Sequence, residues 1–152
     1  MSRIISCRET EQAVIERRQT ATRRLGWWLD RYGRHIVRPG DQLTIVRQAM
    51  GRRRADGTLL PLVRLAQVEL TDVYRERLLD MPPSDIDAEG VDPAKWQPYP
   101  GTPVQAWAAW FAATMGCQIT DEVTVLRWRY IVPASPARCD GLAWNHAAEA
   151  VA

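Results

Sequence analysis

Apolar and polar residues alternate with a period of two in several segments of the chain, which is the pattern of half-buried β-strands. Residues 42–47 place Leu43, Ile45 and Arg47 on one side of such a strand. Residues 60–74 carry apolar side chains on both faces, as the strands of a small barrel do. The same pattern predicts further strands at residues 4–5, 20–22 and 122–132.

A period of three to four residues predicts one long helix near the middle of the second half. Thr102, Pro103 and Gln105 form a strong helix start, with Thr as the cap, Pro at the first position and Gln at the third. Gly116 is expected to end this helix. The apolar positions at helical spacing, which we expect to face the core, are Val104, Trp107, Ala108, Phe111 and Met115.

Two short helices are predicted at residues 11–18 and 85–89. Thr10 can cap the first of them, and Ala13 and Val14 are expected to face the core. The connecting loops are predicted at residues 25–38, 51–57 and 91–101.

The order of these elements favours an α+β fold, a small β-barrel with flanking helices, over a doubly wound parallel sheet. Strands are numerous and long helices are few, whereas a parallel sheet needs a helix after nearly every strand. The chain also lacks the glycine-rich phosphate loops GxGxxG and GxxxxGK[ST]. We expect one domain at residues 1–132, followed by a C-terminal tail at 133–152 that is weakly helical or disordered.

Length and composition are those of a soluble globular protein. The 152 residues fit one domain with its own core, and no apolar run is long enough to cross a membrane. The N-terminus shows no secretory signal, so a cytoplasmic location is expected. Cys7, Cys117 and Cys139 form no CxxC pair and are expected to be reduced thiols. We therefore expect no metal site and no cofactor.

Charge is distributed unevenly along the chain. Residues 1–64 contain 14 Arg and 6 acidic residues, a balance of +8, and residues 65–152 have a balance of −6, which together give the net charge of +2. A GC-rich genome would explain the preference for Arg over Lys, but not this clustering. The asymmetry predicts one basic face, and Arg is well suited to phosphate and to stacking on bases.

Two segments of the basic half carry candidate contacts to nucleic acid. Trp27 and Trp28 lie between the Arg23–Arg24 pair and further arginines, and aromatic residues among basic ones suit unpaired bases. Alternatively, the two tryptophans fill one end of the barrel. In the loop 51–57, Arg52, Arg53 and Arg54 can contact phosphates without reading sequence, or can simply be solvated.

Four short motifs, in this order, resemble those of the ASCH domain, a branch of the PUA-like superfamily. The family's first motif is a Gly-x-Lys-Thr-x-Thr-x-Arg run and its second is a Lys-Pro-Gly-Asp turn that enters a strand. The resemblance covers roughly residues 4–132 and implies a PUA-like (ASCH) β-barrel, similar to small ASCH proteins of actinobacteria and their phages. The matching segments are residues 19–24, 39–43, 87–91 and 122–130.

The resemblance also implies a candidate active site. Some ASCH proteins are amidohydrolases that act on N4-acetylcytidine with a Lys, a Thr and a Glu. The Thr corresponds to Thr22 and the Glu to Glu89, but the Lys position is Gln19 here. Glutamine has no ionisable amine, and the neighbouring Arg18 stays protonated, so neither replaces a lysine base.

The sequence thus predicts a nucleic-acid or modified-nucleotide binding module with a basic cleft near Thr22, Arg24 and Glu89. Its partner would be RNA, single-stranded DNA or a modified nucleoside, and no membrane. Two alternatives stay open: an enzyme (an amidohydrolase on N4-acylated cytidine, or a nuclease), and a phage-type protein–protein adaptor. The residues predicted to bind nucleic acid are Arg18, Gln19, Arg23, Arg24, Trp27, Trp28, Arg52, Arg53 and Arg54.

Overall fold

The computed structural model describes residues 3–26, 28–49 and 53–131 of the chain. The strands in these ranges are β1 (Arg3–Ser6), β2 (Ala21–Arg24), β3 (Gln42–Val46), β4 (Arg64–Arg77) and β5 (Glu122–Tyr130). The α-helices are α1 (Glu11–Ile15), α2 (Asp85–Glu89), α3 (Pro93–Trp96) and α4 (Pro103–Met115). Short 3₁₀ turns precede α1 and follow β4, at Arg8–Thr10 and Leu78–Asp80.

The strands form one mixed sheet in the order β1-β3-β4-β5-β2. β1 and β3 are parallel, and the other neighbours are antiparallel. The 14-residue β4 pairs with β3 through its first part and with β5 through its second, and its register shifts between Leu70 and Asp72. The sheet curls into a half-barrel, which confirms the predicted α+β class with a barrel-like sheet. β1 and β2 are its two edges.

The first core lies against the sheet. The side chains of Leu43 and Ile45 are fully buried there, as their period-two spacing predicts. Val14 of α1 packs into the same cluster and Ala13 is buried beside it, so both are confirmed as core residues. The other buried members of this cluster are Ile5, Cys7, Val37, Val68, Leu70, Leu126 and Trp128.

Helix α4 provides the second core and forms as its sequence predicts. Thr102 and Gln105 make a reciprocal capping box, and Gly116 ends the helix with a left-handed φ of 77°. Trp107 and Phe111 are buried and stack with ring centroids 5.3 Å apart. The expectation that Met115 lies in the core is wrong: it is the last residue of the helix and is 44% exposed.

Some predicted boundaries are wrong. The segment 91–101 is not all loop, because Asp92 caps the short α3 by accepting a hydrogen bond from the Ala94 backbone N–H. Helix α1 ends at Ile15 instead of residue 18, since Arg17 takes a positive φ of 60°. The Thr10 side chain makes no cap bond to α1. The tail from residue 133 lies outside the described residues.

Gly90 lets three segments approach one another closely. It ends α2 with a φ of +73°, and a Cβ built on it would lie 2.7 Å from the Ala13 Cβ and 3.0 Å from the Gln19 Cβ. Real Cβ atoms do not tolerate the first of these distances. The end of α2 can therefore rest on α1 and on Gln19 only if residue 90 has no side chain.

Replacement of Gly90 tests this close approach, with Gly116 as a matched control at another helix end. Gly116 has a similar φ of +77° but no atom within 4 Å of an added Cβ. Gly116→Ala should lower the free energy of unfolding by about 1–2 kcal/mol, from backbone strain alone. Gly90→Ala should lower it by about 1–3 kcal/mol more, because of overpacking. Urea unfolding curves measure both, and equal losses would contradict the argument.

Candidate functional site

The two edge strands of the half-barrel face each other across a seam that is bridged by Arg24. Its Nη2 on β2 donates to the Ser6 carbonyl of β1, and its Nε donates to the Thr22 Oγ1 at 3.3 Å. The same guanidinium lies 3.8 Å from the Cys7 Sγ. Thr22 and Arg24 thus point to the same side of β2, as strand alternation requires.

A cavity of about 700 Å³ lies at this seam. Its size falls within the range of small-molecule and cofactor sites, about 300–1,000 Å³. Polar groups in its lining include Gln19, Thr22 and Glu89. The apolar and aromatic part of the lining comes from Ile4, Leu25, Trp28, Ile36, Val91, Trp110, Phe111 and Met115.

Arg23 is 2% exposed, and its guanidinium reaches α2. Its guanidinium donates to the Glu89 Oε2 at 2.6 Å, to the Asp85 Oδ2 at 2.7 Å and to the Glu76 Oε1 at 2.7 Å. Asp85 and Glu89 are four residues apart on α2, so both lie on the helix face that meets β2. Arg127 of β5 adds a second guanidinium on Asp85.

This cluster holds two guanidinium groups and three carboxylates, and the pKa values of two of them, Glu89 and Asp85, are shifted in opposite directions. Burial raises the pKa of Glu89, and the attraction of Arg23 does not fully offset that effect. Burial also acts to raise the pKa of Asp85, but hydrogen bonds and charge from Arg127 and Arg23 bring it below the usual value. Glu89 is therefore the carboxyl group of this pair that more readily takes up a proton.

One of the two carboxyl oxygens of Glu89 is not bound by Arg23 and is available to a ligand in the cavity. Its Oε2 is bound by Arg23, whereas its Oε1 has no hydrogen-bond partner among the described residues. The Arg23 Nε is buried and has no hydrogen-bond partner among the described residues. A ligand in the cavity would thus meet a carboxyl oxygen whose orientation is fixed from behind.

Gln19 is also buried, and its carboxamide is engaged within the protein. Its Nε2 donates to the Ala21 carbonyl at 3.0 Å, and its Oε1 accepts from the Thr10 hydroxyl at 2.5 Å. Its backbone carbonyl accepts from the Trp128 Nε1 at 3.0 Å and from the Tyr130 hydroxyl at 2.6 Å. These bonds hold residue 19 in the lining that it shares with Thr22 and Glu89, and the Thr10 hydroxyl, which makes no cap bond to α1, is bound to Gln19 instead.

Only part of the set predicted from the sequence meets at the cavity. Arg18 is exposed and paired with Glu16, at a nitrogen–oxygen distance of 2.6 Å. Arg53 and Arg54 are exposed on a turn closed by a bridge between Arg53 and Leu59, away from the cavity lining. Trp27 and Arg52 lie outside the described residues. Those that line the cavity are Gln19, Thr22, Arg23, Arg24, Trp28 and Glu89.

Sequence reasoning missed several residues of the site. Arg3 and Arg8 are exposed at the cavity and form no ion pair with any described residue, yet no motif marks them. Asp85 carried a usable signal, because an acid four residues before Glu89 on a short helix shares its face. Its partner Arg127 lies 42 residues further along the chain, which no local pattern could reveal.

The described residues contain no group of three His, Cys, Asp or Glu side chains arranged to hold a metal ion. Within the same ranges, no helix has both the length and the apolar character needed to cross a membrane.

The opposite pKa shifts of Glu89 and Asp85 predict opposite pH effects on stability. The raised pKa of Glu89 stabilises the fold below its usual value of 4.5, and that contribution is lost as pH rises through the raised value. The stability of wild type relative to Glu89→Gln should therefore fall as pH rises above 4.5. Asp85 is the reverse case: wild type relative to Asp85→Asn should lose stability as pH falls below 3.8.

Urea unfolding of the three proteins at a series of pH values measures these differences. Slopes of the same sign for Glu89→Gln and Asp85→Asn would contradict the assignment of the proton to Glu89.

Comparisons with known proteins give a fold but no close relative. No protein-family model matches the chain, and no curated protein matches it either. A structure from Enterococcus faecalis, described as family DUF984, matches with a TM-score of 0.55 and 15% identity over 86% of this chain and 80% of its own. An ASCH domain structure from Lactobacillus crispatus matches with a TM-score of 0.52 and 14% identity over 85% and 79%. The chain therefore has the fold of that ASCH domain structure, an α+β fold with a curled, barrel-like sheet.

Proposed function

We propose that this protein is a nucleic-acid or modified-nucleotide binding module that seats one base in the seam cavity. The observation that carries the proposal is the composition of that cavity: it is lined by aromatic side chains (the wall), by buried polar side chains (the floor), and by Arg3, Arg8 and Arg24 (the rim), of which the first two form no ion pair with any described residue. A base, a sugar and a phosphate present surfaces of these three kinds. A cytoplasmic location, expected from the sequence, belongs to the same proposal.

The aromatic wall can hold the face of a base. Trp28 is half-buried and lines the cavity, so part of its ring is available for stacking. Trp110 and Phe111 are buried and lie behind this surface as part of the helical core. Stacking on aromatic rings is how proteins hold unpaired bases, and it tolerates any base.

The polar floor can bind the edge of that base. The Glu89 Oε1 can accept a hydrogen bond from an exocyclic amine, as carboxylates do from cytosine. The Thr22 hydroxyl lies on the same lining and can donate or accept. Arg23 would contribute by fixing Glu89, because its own guanidinium is enclosed by carboxylates.

The rim can bind phosphate. Arg3, Arg8 and Arg24 line the cavity, and the first two are exposed and free of ion pairs to described residues. Glu9 also lines the cavity; it forms an ion pair with Lys95 and is attracted more weakly by the charge of Arg8. Arginine forms charge-assisted, bidentate bonds to phosphate, so this rim favours an anionic ligand.

The remaining predicted residues belong to the proposal as contacts outside the cavity. Arg53 and Arg54, with Arg52, would contact phosphates of a longer chain without reading its sequence. Arg18 and Trp27 are also proposed to contact nucleic acid, and the support for them comes from the sequence alone.

An enzyme with the same cavity is the second candidate, because Thr22 and Glu89 share the lining with residue 19. Amide hydrolysis in the resembling enzymes uses a lysine at that place, and Gln19 offers a carboxamide that is already bound to Thr10 and Ala21. General base catalysis contributes about two to four powers of ten in rate. Binding without turnover is therefore the better-supported function.

Binding is tested with the rim arginines. Arg3→Ala combined with Arg8→Ala should weaken binding of a fluorescent single-stranded RNA by roughly tenfold or more, because two charge-assisted bonds are lost. The slope of log affinity against log salt should also decrease by about 1.4, the value for two phosphates on a single strand. Fluorescence anisotropy at several salt concentrations measures both quantities.

Arg64→Ala is the matched control, since Arg64 is exposed on β4 and does not line the cavity. If wild type binds neither RNA nor single-stranded DNA at low salt, the proposed function is wrong.

Catalysis is tested with N4-acetylcytidine. Wild type should release no cytidine, because residue 19 lacks an amine, and Gln19→Lys should gain measurable release if the cavity orients the substrate. Thr22→Ala in the Gln19→Lys background is the control, and chromatography follows the product. Clear wild-type turnover that disappears in Thr22→Ala would make the enzyme the correct function.

A further inference from the structure

A small hairpin at residues 28–36 connects the cavity with an exposed aromatic tip. The Ile36 N–H donates to the Trp28 carbonyl at 2.9 Å, and Leu29 and His35 form an antiparallel bridge. Trp28 and Ile36, at the base of this hairpin, both line the cavity. Tyr32 lies at the tip, four residues from Trp28, so the chain can separate the two by at most about 14 Å.

Asp30 holds the tip in one conformation. Its Oδ1 accepts from the backbone N–H groups of Tyr32 at 2.8 Å and Arg34 at 3.0 Å, and its Oδ2 accepts from the Arg34 Nε at 2.9 Å. Gly33 supplies the left-handed turn with a φ of +80°. Little conformational freedom would thus be lost when a ligand contacts the tip.

Tyr32 is 68% exposed, and two arginine side chains lie close to its ring. The guanidinium carbons of Arg31 and Arg34 lie 5.2 and 5.1 Å from the centroid of its ring. Arg31 forms no ion pair with a described residue. A ring that is exposed over most of its surface and has guanidinium groups beside it is a surface on which an unpaired base can stack while the cations meet its phosphates.

The surroundings of Tyr32 favour nucleic acid over a protein partner. The other large hydrophobic side chains that are exposed in the described ranges, Ile4, Leu59, Met115 and Ile119, do not belong to this hairpin. The tip is therefore a single ring among cations, whereas protein interfaces have an apolar core from which charge is depleted.

We propose that Tyr32, with Arg31 and Arg34, forms a second stacking site, and that the ligand is a single strand of several unpaired nucleotides. One base enters the cavity beside Trp28, and a base further along the strand stacks at the hairpin tip. This inference rests on the proposed function, and it narrows the ligand from any nucleotide to an oligonucleotide. A nucleoside monophosphate would occupy the cavity without touching Tyr32.

The test compares an eight-nucleotide single-stranded RNA with the four nucleoside monophosphates. Tyr32→Ala should weaken binding of the octamer by about five- to hundredfold, the range for loss of one stacked base, and leave monophosphate binding unchanged. Tyr32→Phe should retain the octamer affinity, because the ring and not the hydroxyl makes the contact. Ile119→Ala, which removes an exposed apolar side chain outside the hairpin, should have no effect.

Each outcome separates this inference from the proposed function. If Tyr32→Ala binds the octamer as wild type does while the Arg3/Arg8 double variant loses affinity, the tip is not a binding site and the cavity still is. If Tyr32→Ala weakens octamer and monophosphate equally, the hairpin acts only on the cavity and the second site is overturned. If wild type binds neither ligand, the proposed function itself fails.

Discussion

The buried ion cluster around Arg23 holds the site together. β2 is a short edge strand that pairs only with β5 in the sheet, and α2 packs against it through carboxylates rather than through a large apolar face. Removal of one partner from a buried ion pair typically costs about 3–5 kcal/mol, since it leaves the other charge without compensation. The place of Glu89 at the cavity is thus set by the same contacts that attach α2 to the sheet.

Alternation along β2 lets three consecutive residues, Thr22, Arg23 and Arg24, serve two purposes. Arg23 points to α2, whereas Thr22 and Arg24 point to the seam, where Arg24 reaches across to Ser6. Open strand edges leave backbone groups unpaired, and full closure of the sheet would remove them. Full closure would also remove the space between β1 and β2, in which the cavity lies. A bridge made by one long side chain joins the edges and leaves that space open.

The sequence predicts local structure well and distant partners poorly. Helix α4 forms as its cap residues and apolar period indicate, and the end of α2 at Gly90 follows from its sequence. The motifs indicate Thr22 and Glu89 as candidate site residues, and the structure places both in the lining of one cavity. Local motifs cannot reveal the partners of Arg23, because those partners lie 53 to 66 residues away along the chain. An arginine in a basic segment also gives no sign that it is buried.

The short helix α3 is not predicted from the sequence, because the prolines around it are typical of loops. Asp92 and Pro93 are nevertheless a cap residue and a first-position proline, which together are typical of a helix start.

The distribution of guanidinium groups in the cluster sets what Glu89 can offer to a ligand. Asp85 receives bonds from both Arg23 and Arg127, whereas Glu89 receives one from Arg23, so Glu89 is the weaker competitor for positive charge. Ionised, its Oε1 only accepts hydrogen bonds, which favours an exocyclic amine; protonated, the carboxyl group can also donate to a carbonyl. Arg127 is not among the residues that line the cavity, yet by neutralising Asp85 it weakens the repulsion that Asp85 exerts on Glu89 and so favours the ionised form of Glu89. If the cavity binds a base as proposed, the choice between amine-bearing and carbonyl-bearing bases would therefore depend on Arg127, which lies outside the lining, as much as on the residues within it.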